Sequence, residues 1–422
     1  MKVLLVGNGG REHAMAWRLA ATRGVKVLVT HGNGGTDAVA RAVPVAPNDL
    51  DAVVKTARSE RVDLVAVGPE SPLAAGLADR LHAAGLKVFG PVQAAARIES
   101  SKAFCHEVLE AAGVPCAPAR VFDDARAAMA HLATCPIPAV VKADGLAAGK
   151  GVVVATTREE AIEAAKEFMV DGALGAAGRR ILIEEHVVGE EASFMVLTDG
   201  EHVLPFAPAQ DHKRLNDGDL GPNTGGMGAY SPTRALPPPA QKDVVERIIR
   251  PTLAELARRG IRYQGVLYAG LMVTKDRGPM VLEFNCRFGD PESQPVFARM
   301  RGNLAEVLLA CAEGRLDQVK VTFDPRVAVC VVLASDGYPG RPRLGDPISG
   351  LDEAAAQQDV VVFHAGTKRR SDGAVVTSGG RVLGVTALAD SVKAARERAY
   401  DAVRRIRFDG MQFRKDIGVR SL

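Results

Sequence analysis

Cysteine is scarce in this chain, and neither sign of charge prevails. Six cysteines (Cys105, Cys116, Cys135, Cys286, Cys311, Cys330) in 422 residues form no C-x-x-C pair, so there is no disulfide or zinc framework to read and the thiols are expected to be reduced and mostly buried. The formal net charge is only +3, from 53 basic and 50 acidic residues. That is too little for an electrostatic nucleic-acid footprint, and no long basic run appears. No apolar run reaches the length of a membrane span, and Met1 to Gly7 is too short for a signal-peptide core, so a cytoplasmic protein is expected. The nine histidines contain no pair at metal-ligand spacing. No Ser-His-Asp or Cys-His constellation can be argued, so covalent catalysis is not indicated. There is neither an internal repeat nor a low-complexity tail.

What is present is an ordinary globular composition, 47% hydrophobic and 24% charged, over a length that exceeds one hydrophobic core. The first hundred residues alternate strand-like and helix-like stretches, which implies a mostly parallel sheet with helices on its faces. Strands are expected at Lys2 to Val6, Val25 to Val29, Asp63 to Val67 and Leu86 to Phe89, with helices near His13 to Ala21 and Leu73 to Ala84. A helix is predicted over Ser101 to Ala112, then a small α+β lobe from about 120 to 190. Ala207 to Pro239 is long, polar and rich in Gly and Pro, and reads as a functional loop. A helix near Gln241 to Arg259 should be kinked by Pro251. A last unit from about Arg326 carries four strands and a final helix.

The stretch Glu283-Phe284-Asn285-Cys286-Arg287-Phe288-Gly289-Asp290-Pro291-Glu292 is the most informative. In an extended chain Glu283, Asn285 and Arg287 share one face, while Leu282, Phe284, Cys286 and Phe288 fill the other. Two oxygen donors followed by a guanidinium suit a Mg²⁺ ion bridging phosphate oxygens. The bland alternative is an amphipathic edge strand, which the immediate Gly-Asp-Pro break disfavours.

Glycine-rich turns supply the rest. Gly7-Asn8-Gly9-Gly10-Arg11-Glu12 follows the first strand and opens a helix, so its N–H groups could hold a phosphate. It fails as a dinucleotide fingerprint because Glu12 stands where the third glycine belongs and no acidic residue follows the second strand. A second turn, His31-Gly32-Asn33-Gly34-Gly35-Thr36, and Pro69-Glu70 after the third strand favour a small phosphorylated ligand. Asp144-Gly145-Leu146-Ala147-Ala148-Gly149-Lys150-Gly151 misses the P-loop spacing and is followed by a strand. It reads as a flexible hairpin tip able to fold over triphosphate oxygens, with Lys142 just upstream. Glu184-Glu185-His186-Val187, followed by Glu190 and Glu191, ends a strand at an interlobe connection; a linker there could offer adenine its backbone groups and a ribose one carboxylate.

Taken together with Gln210-Asp211-His212-Lys213-Arg214, Gly221 to Gly228, Phe363 to Lys368 and Arg414 to Gly418, these motifs resemble, in order and over the whole chain, the phosphoribosylamine–glycine ligase family of ATP-grasp enzymes. The resemblance implies α/β and α+β domains: a pre-ATP-grasp parallel-sheet domain (1–100), a two-lobed ATP-grasp domain (101–325) and a C-terminal α+β domain (326–422). It implies ATP, Mg²⁺ or Mn²⁺, glycine and 5-phosphoribosylamine as ligands, no nucleic-acid or membrane partner, and a monomer or homodimer. It also implies roles. Lys102, Lys142, Gly145, Gly149, Lys150 and Gly151 would contact ATP phosphates, Glu184, Glu185, His186 and Val187 the adenine side, and Glu191 the ribose. Glu283 and Asn285 would hold the metal. Asn8, Gly9, Gly10, Gly32, Asn33, Glu70 and Gly225 would face the sugar phosphate, and Asp211, Lys213, Arg287 and Asp290 would surround glycine and the moving phosphoryl group. His31 departs from the proline usual in that family, beside a ligand loop. The alternatives are an ATP-grasp ligase for another amine, which would differ at 7–12 and 211–228, and a nucleotide-regulated binding protein without turnover.

Overall fold

A computed structural model describes residues 1–147 and 149–422; Ala148, within the predicted glycine loop, lies outside them. The N-terminal unit is a five-stranded parallel sheet in the order Arg41–Val43, Lys26–Thr30, Lys2–Val6, Leu64–Val67, Val88–Phe89. Leu4 and Val6 face one core cluster and Val3 and Leu5 another, all fully buried, as a sheet covered on both faces requires. Because strand order reverses around Lys2–Val6, the turns at 7–10, 31–36 and 68–70 open at the same edge. The expected alternation holds, with two differences. A short strand, Arg41–Val43, and a helix, Leu50–Ser59, intervene where no element was expected. The single helix expected at 73–84 is two, Glu70–Ala74 and Leu77–Ala83, divided by Gly76 at φ +86°.

The helix Lys102–Ala111 begins where Ser101 caps the N–H of Phe104. Beyond it stands a small lobe: an antiparallel sheet ordered Ala119–Phe122, Ile181–Glu185, Ala139–Ala143, Val152–Ala155. The helices Ala125–Leu132 and Arg158–Met169 share its apolar cluster. The larger lobe is built on an antiparallel sheet ordered Val203–Pro205, Glu190–Thr198, Gly265–Thr274, Gly278–Asn285.

Three expectations need correction. The 207–239 stretch is not a loop: it contains Gln210–Asp211, Arg214–Asn216, Leu220–Asn223 and Gly228–Ser231. The first and last of these join the C-terminal sheet, ordered Gln210–Asp211, Gly228–Ser231, Val327–Ala334, Arg381–Ala389, Val360–His364. Strands of two to four residues are too short to display a period. The 241–259 helix is two helices, Pro238–Val244 and Arg250–Arg258, joined through a π turn at Val245–Ile249; Pro251 therefore sits in a first turn, where a missing N–H costs little. Lastly, Leu282 is not a core residue. Gly270 pairs with Glu283 and Leu271 with Val281, so Leu282 is the extra residue of a bulge that shifts the alternation there. Phe284, Cys286 and Phe288 are buried as expected.

Phe288 lies close to Phe89, Phe206 and Phe297. The cluster it belongs to runs from Val3 to Phe363 and joins the N-terminal, central and C-terminal units. None of the described helices is long and apolar enough to cross a membrane, and all six cysteines are unpaired.

Candidate functional site

The two central lobes face each other across a cleft bordered by Lys102, His106, Cys116, Lys142, Glu184 and Glu283. Lys142 is buried. Its Nζ pairs with Glu184 at 2.6 Å and donates to the Leu282 carbonyl at 3.0 Å, so the bulge on one lobe receives a cation from the other. The glycine loop is fixed at its root: Asp144 Oδ1 accepts from Ser101 Oγ (2.9 Å) and from the Ala103 N–H (2.8 Å), and Arg180 holds Oδ2. A Cβ on Gly145 would stand 2.8 Å from the Ala177 backbone, so glycine is needed there. Gly149 takes φ +79°, while Lys150 is exposed and Gly151 buried.

Glu283 is half-buried, and its carboxylate has no hydrogen-bond or ion-pair partner among the described residues, although its backbone pairs with Gly270 in the sheet. Burial raises its carboxyl, but Lys102, Lys213, Lys142 and Arg287 outweigh that and hold it down at about 2. An ionised carboxylate with uncommitted lone pairs is what a hard cation requires. Asn285 Oδ1 already accepts from Arg287 Nη2 at 2.9 Å, leaving one lone pair. Among the described residues no three His, Cys, Asp or Glu side chains gather as a metal site. A Mg²⁺ ion here therefore fits only with phosphate oxygens and water completing its shell, which is its usual habit.

Arg287 is more committed than the sequence suggested. Its guanidinium meets Glu99 at 3.0 Å and Glu70 at 3.3 Å, and also bonds the Phe288 carbonyl. The Glu70 carboxyl, raised by burial, is brought below its ordinary range by Arg287 and Arg11. Across the site Lys213 Nζ bonds Glu191 at 3.1 Å, holding that carboxyl low against burial. Asp211 is buried, and its carboxyl is pushed up to about 7 by desolvation, with Lys213 opposing and Glu292, Glu191 and Glu283 reinforcing.

A stability test follows. The folded value of Asp211 lies above the roughly 3.9 of an unfolded aspartate, so the folded chain keeps a proton that the unfolded chain has released between about pH 4 and about pH 7. That contribution is complete below about pH 4 and is lost as pH rises through about 7. Asp211→Asn should therefore gain Tm relative to the parent as pH rises from about 4 to about 7, and hold that gain above it, in scanning calorimetry. A pH-independent Tm difference would contradict the assigned environment.

At the N-terminal edge the predicted loops do meet. Asn8 Nδ2 donates to the Gly32 carbonyl (3.3 Å), and Asn33 Nδ2 to the Asn8 carbonyl (3.0 Å). Glu12 explains the failed dinucleotide fingerprint: its carboxylate accepts from the Gly9 N–H at 2.7 Å, and a Cβ on Gly7 or Gly68 would come within 3 Å of its side chain. The glycine turns are thus packed around a carboxylate. Gly10 lies close enough to Asp290 that a Cβ there would be 3.4 Å from Oδ1. The C-terminal unit lines the second loop, where the Gly34 N–H reaches Thr367 and Asn33 the His364 carbonyl.

On the outer side of the cleft Glu185 is exposed, 3.4 Å from Arg277, and its N–H is taken by the Pro118 carbonyl. That N–H is not among the backbone groups free for a ligand. His186 is half-buried and Val187 packs with Ala117 and Met280. Gly225 sits apart from these, beside Arg381. Sequence reasoning missed Glu99, Glu292 and Arg381. Glu292 is buried, and its carboxylate accepts from Tyr268 and from Ser193. Glu99 and Arg381 lie in no local pattern that could have marked them, whereas Glu292 closes the 283–292 stretch and was given no role there.

Known families match this chain from end to end. Residues 1–99, 100–293 and 328–420 match the N domain, the ATP-grasp (A) domain and the C domain of phosphoribosylglycinamide synthetase. The chain is 51% identical over 423 residues to the phosphoribosylamine–glycine ligase of Ralstonia nicotianae, covering 100% of both. It is 50% identical over 427 residues to that of Escherichia coli K12, covering 100% of the chain and 99% of the relative. A crystal structure of phosphoribosylamine–glycine ligase from Thermotoga maritima superposes with a TM-score of 0.87 at 31% identity, covering 99% and 100% of the two chains. The biotin carboxylase domain of Hydrogenobacter thermophilus 2-oxoglutarate carboxylase, solved with MgADP, shares the fold at 17% identity and a TM-score of 0.75, over 98% and 91%.

Proposed function

The chain belongs to the phosphoribosylglycinamide synthetase family, and from that premise we propose that it ligates glycine to 5-phosphoribosylamine, converting ATP to ADP and phosphate, in purine biosynthesis. The observation that carries the reading is identity at about half of all positions over the full length of the ligases it resembles. The domain limits near 100 and 325 and the site roles below are part of the proposal.

Glycine carboxylate is a poor acylating agent. One of its oxygens attacks the γ-phosphorus of ATP, the bond to the β-phosphate oxygen breaks, and ADP leaves. The sugar amine then attacks the carbonyl carbon of glycyl phosphate, expelling phosphate and giving up a proton. Lys102 and Lys142 take the transferring oxygens, and the 144–151 loop closes over them, keeping water from the acyl phosphate. A divalent cation, held by Glu283 and the remaining lone pair of Asn285, would screen the phosphate charge. Asp211 and Lys213 orient glycine, and Asp290, beside the Gly9-Gly10 turn, takes the amine proton. No covalent enzyme intermediate is needed, because positioning and electrostatics perform the work. Holding both reactants in place is worth roughly 7–11 kcal/mol. The enzyme works in the cytoplasm on three small molecules, as a monomer or homodimer, with its thiols reduced.

Substrate omission tests the reading. ADP release should need glycine and phosphoribosylamine together, and the product should have the mass of the ribosyl glycinamide. Equal release with alanine, or with ribose 5-phosphate in place of the amine, would count against the substrates.

A further inference from the structure

Arg381 enters the site from the C-terminal unit. It begins the strand Arg381–Ala389, whose register with Val327–Ala334 slips so that Leu383 opposes Leu333 but Arg381 opposes Ala334. The extra residue, Val382, makes a bulge, a device that re-aims a neighbouring side chain. The guanidinium bonds two other chain segments at once: Nη2 donates to Asp290 Oδ2 (2.8 Å), and Nη1 donates to the Asp290 carbonyl (2.6 Å) and to the Gly225 carbonyl.

We infer that Arg381 is a positioning residue for the ligation step, holding the Asp290 carboxylate beside the Gly9-Gly10 loop and tying the Gly225-Gly226 turn to it. This rests on the ligase reading above. The turn is wedged: a Cβ on Gly225 would stand 3.0 Å from Arg381 Cζ, and one on Gly226 (φ +111°) would stand 2.5 Å from Pro291 Cδ. Tyr338, also from the C-terminal unit, accepts the Gly225 N–H at 2.9 Å. Gln294 Nε2 donates to the other Asp290 oxygen at 3.1 Å, so the carboxylate is held from both sides. An exposed pair would do little, since two mobile side chains pay entropy for a screened attraction. Here the side chains are about one-fifth exposed, 21% and 17%, and a planar fork bonds a carboxylate and carbonyls at once, which an ammonium cannot reproduce.

A mutant cycle on the whole chain tests this, with Arg381→Gln, Arg381→Lys, Asp290→Asn and the Arg381→Gln/Asp290→Asn double variant. Arg381→Gln is expected to keep the parent's KM for ATP and lose on the order of a hundredfold in kcat/KM for phosphoribosylamine, the scale of a small misplacement at a reacting centre. Arg381→Lys should recover part of that loss. The double variant should lose no more than Asp290→Asn alone, because residues acting as a unit are non-additive. Losses that multiply, or unchanged amine kinetics in Arg381→Gln, would overturn the inference. If Arg381→Gln does not fold, the same cycle read with Arg381→Lys decides. Parent chain assayed in parallel separates the two claims: no ligation by the parent removes the ligase reading itself, whereas parent ligation with a multiplicative cycle removes only the role of Arg381.

Discussion

Glu283→Gln is expected to lower kcat by roughly 10²- to 10³-fold, the scale seen when one preorganised electrostatic group is lost from a reacting centre. It should also raise the Mg²⁺ concentration needed for half-maximal rate, since the substitution removes a unit of charge from the cation's shell. The fold should also lose some stability at neutral pH, because the summed field of Lys102, Lys213, Lys142 and Arg287 holds the Glu283 carboxyl down at about 2 against burial, and a glutamine of the same shape carries no charge to answer that field. ADP release against Mg²⁺ concentration, with a thermal melt of the same preparation, separates the effects. Near-parent kcat at saturating Mg²⁺ would remove Glu283 from the metal site.

Arg287→Lys is expected to fail in two ways. From the sequence, Arg287 stands at a strand end with a free fork, so its lysine variant should fold and bind ATP normally while losing most turnover. The structure revises the first half. The guanidinium bonds Glu99, Glu70 and Asn285 together, and Glu99, buried, also accepts the Cys286 N–H at 2.7 Å. A lysine keeps the charge but cannot serve all three acceptors. The loss should be about 1.5–3 kcal/mol of stability, the range for hydrogen bonds to charged groups, in addition to most of the turnover. Arg287→Ala, which leaves Glu99 without its cation, should cost about 3–5 kcal/mol. Urea unfolding at constant m-value measures this; an unchanged midpoint for Arg287→Ala would show that the ionic cluster does not couple the N-terminal unit to the end of the strand Gly278–Asn285.

The contrast between these two residues shows where sequence reading stops. Alternation along 283–288 is a local property, and it correctly separated Phe284, Cys286 and Phe288 from Glu283. It failed at Leu282, because a bulge depends on the partner strand. The helix predicted over Ser101 to Ala112 was legible almost to the residue, since its apolar stripe and cap are local: it runs Lys102–Ala111 behind Ser101. The strands at 210–231 were not: each is only two to four residues long, and Gly228–Ser231 finds its partner in the C-terminal strand Val327–Ala334, about a hundred residues downstream. Glu99 and Arg381 meet Arg287 and Asp290 only in the folded chain. No spacing rule marks such residues; the need to satisfy a buried charge does. Glu12 was the reverse case, where departure from a glycine pattern proved to be the feature around which Gly7, Gly9 and Gly68 are packed.

The most direct test of the account follows an oxygen atom. Glycine labelled with ¹⁸O in its carboxylate is turned over with ATP and phosphoribosylamine, and the released phosphate is analysed by mass spectrometry. Attack of glycine oxygen on the γ-phosphorus predicts one labelled oxygen in each phosphate formed; unlabelled phosphate, at the same yield of glycinamide, would contradict the glycyl phosphate route.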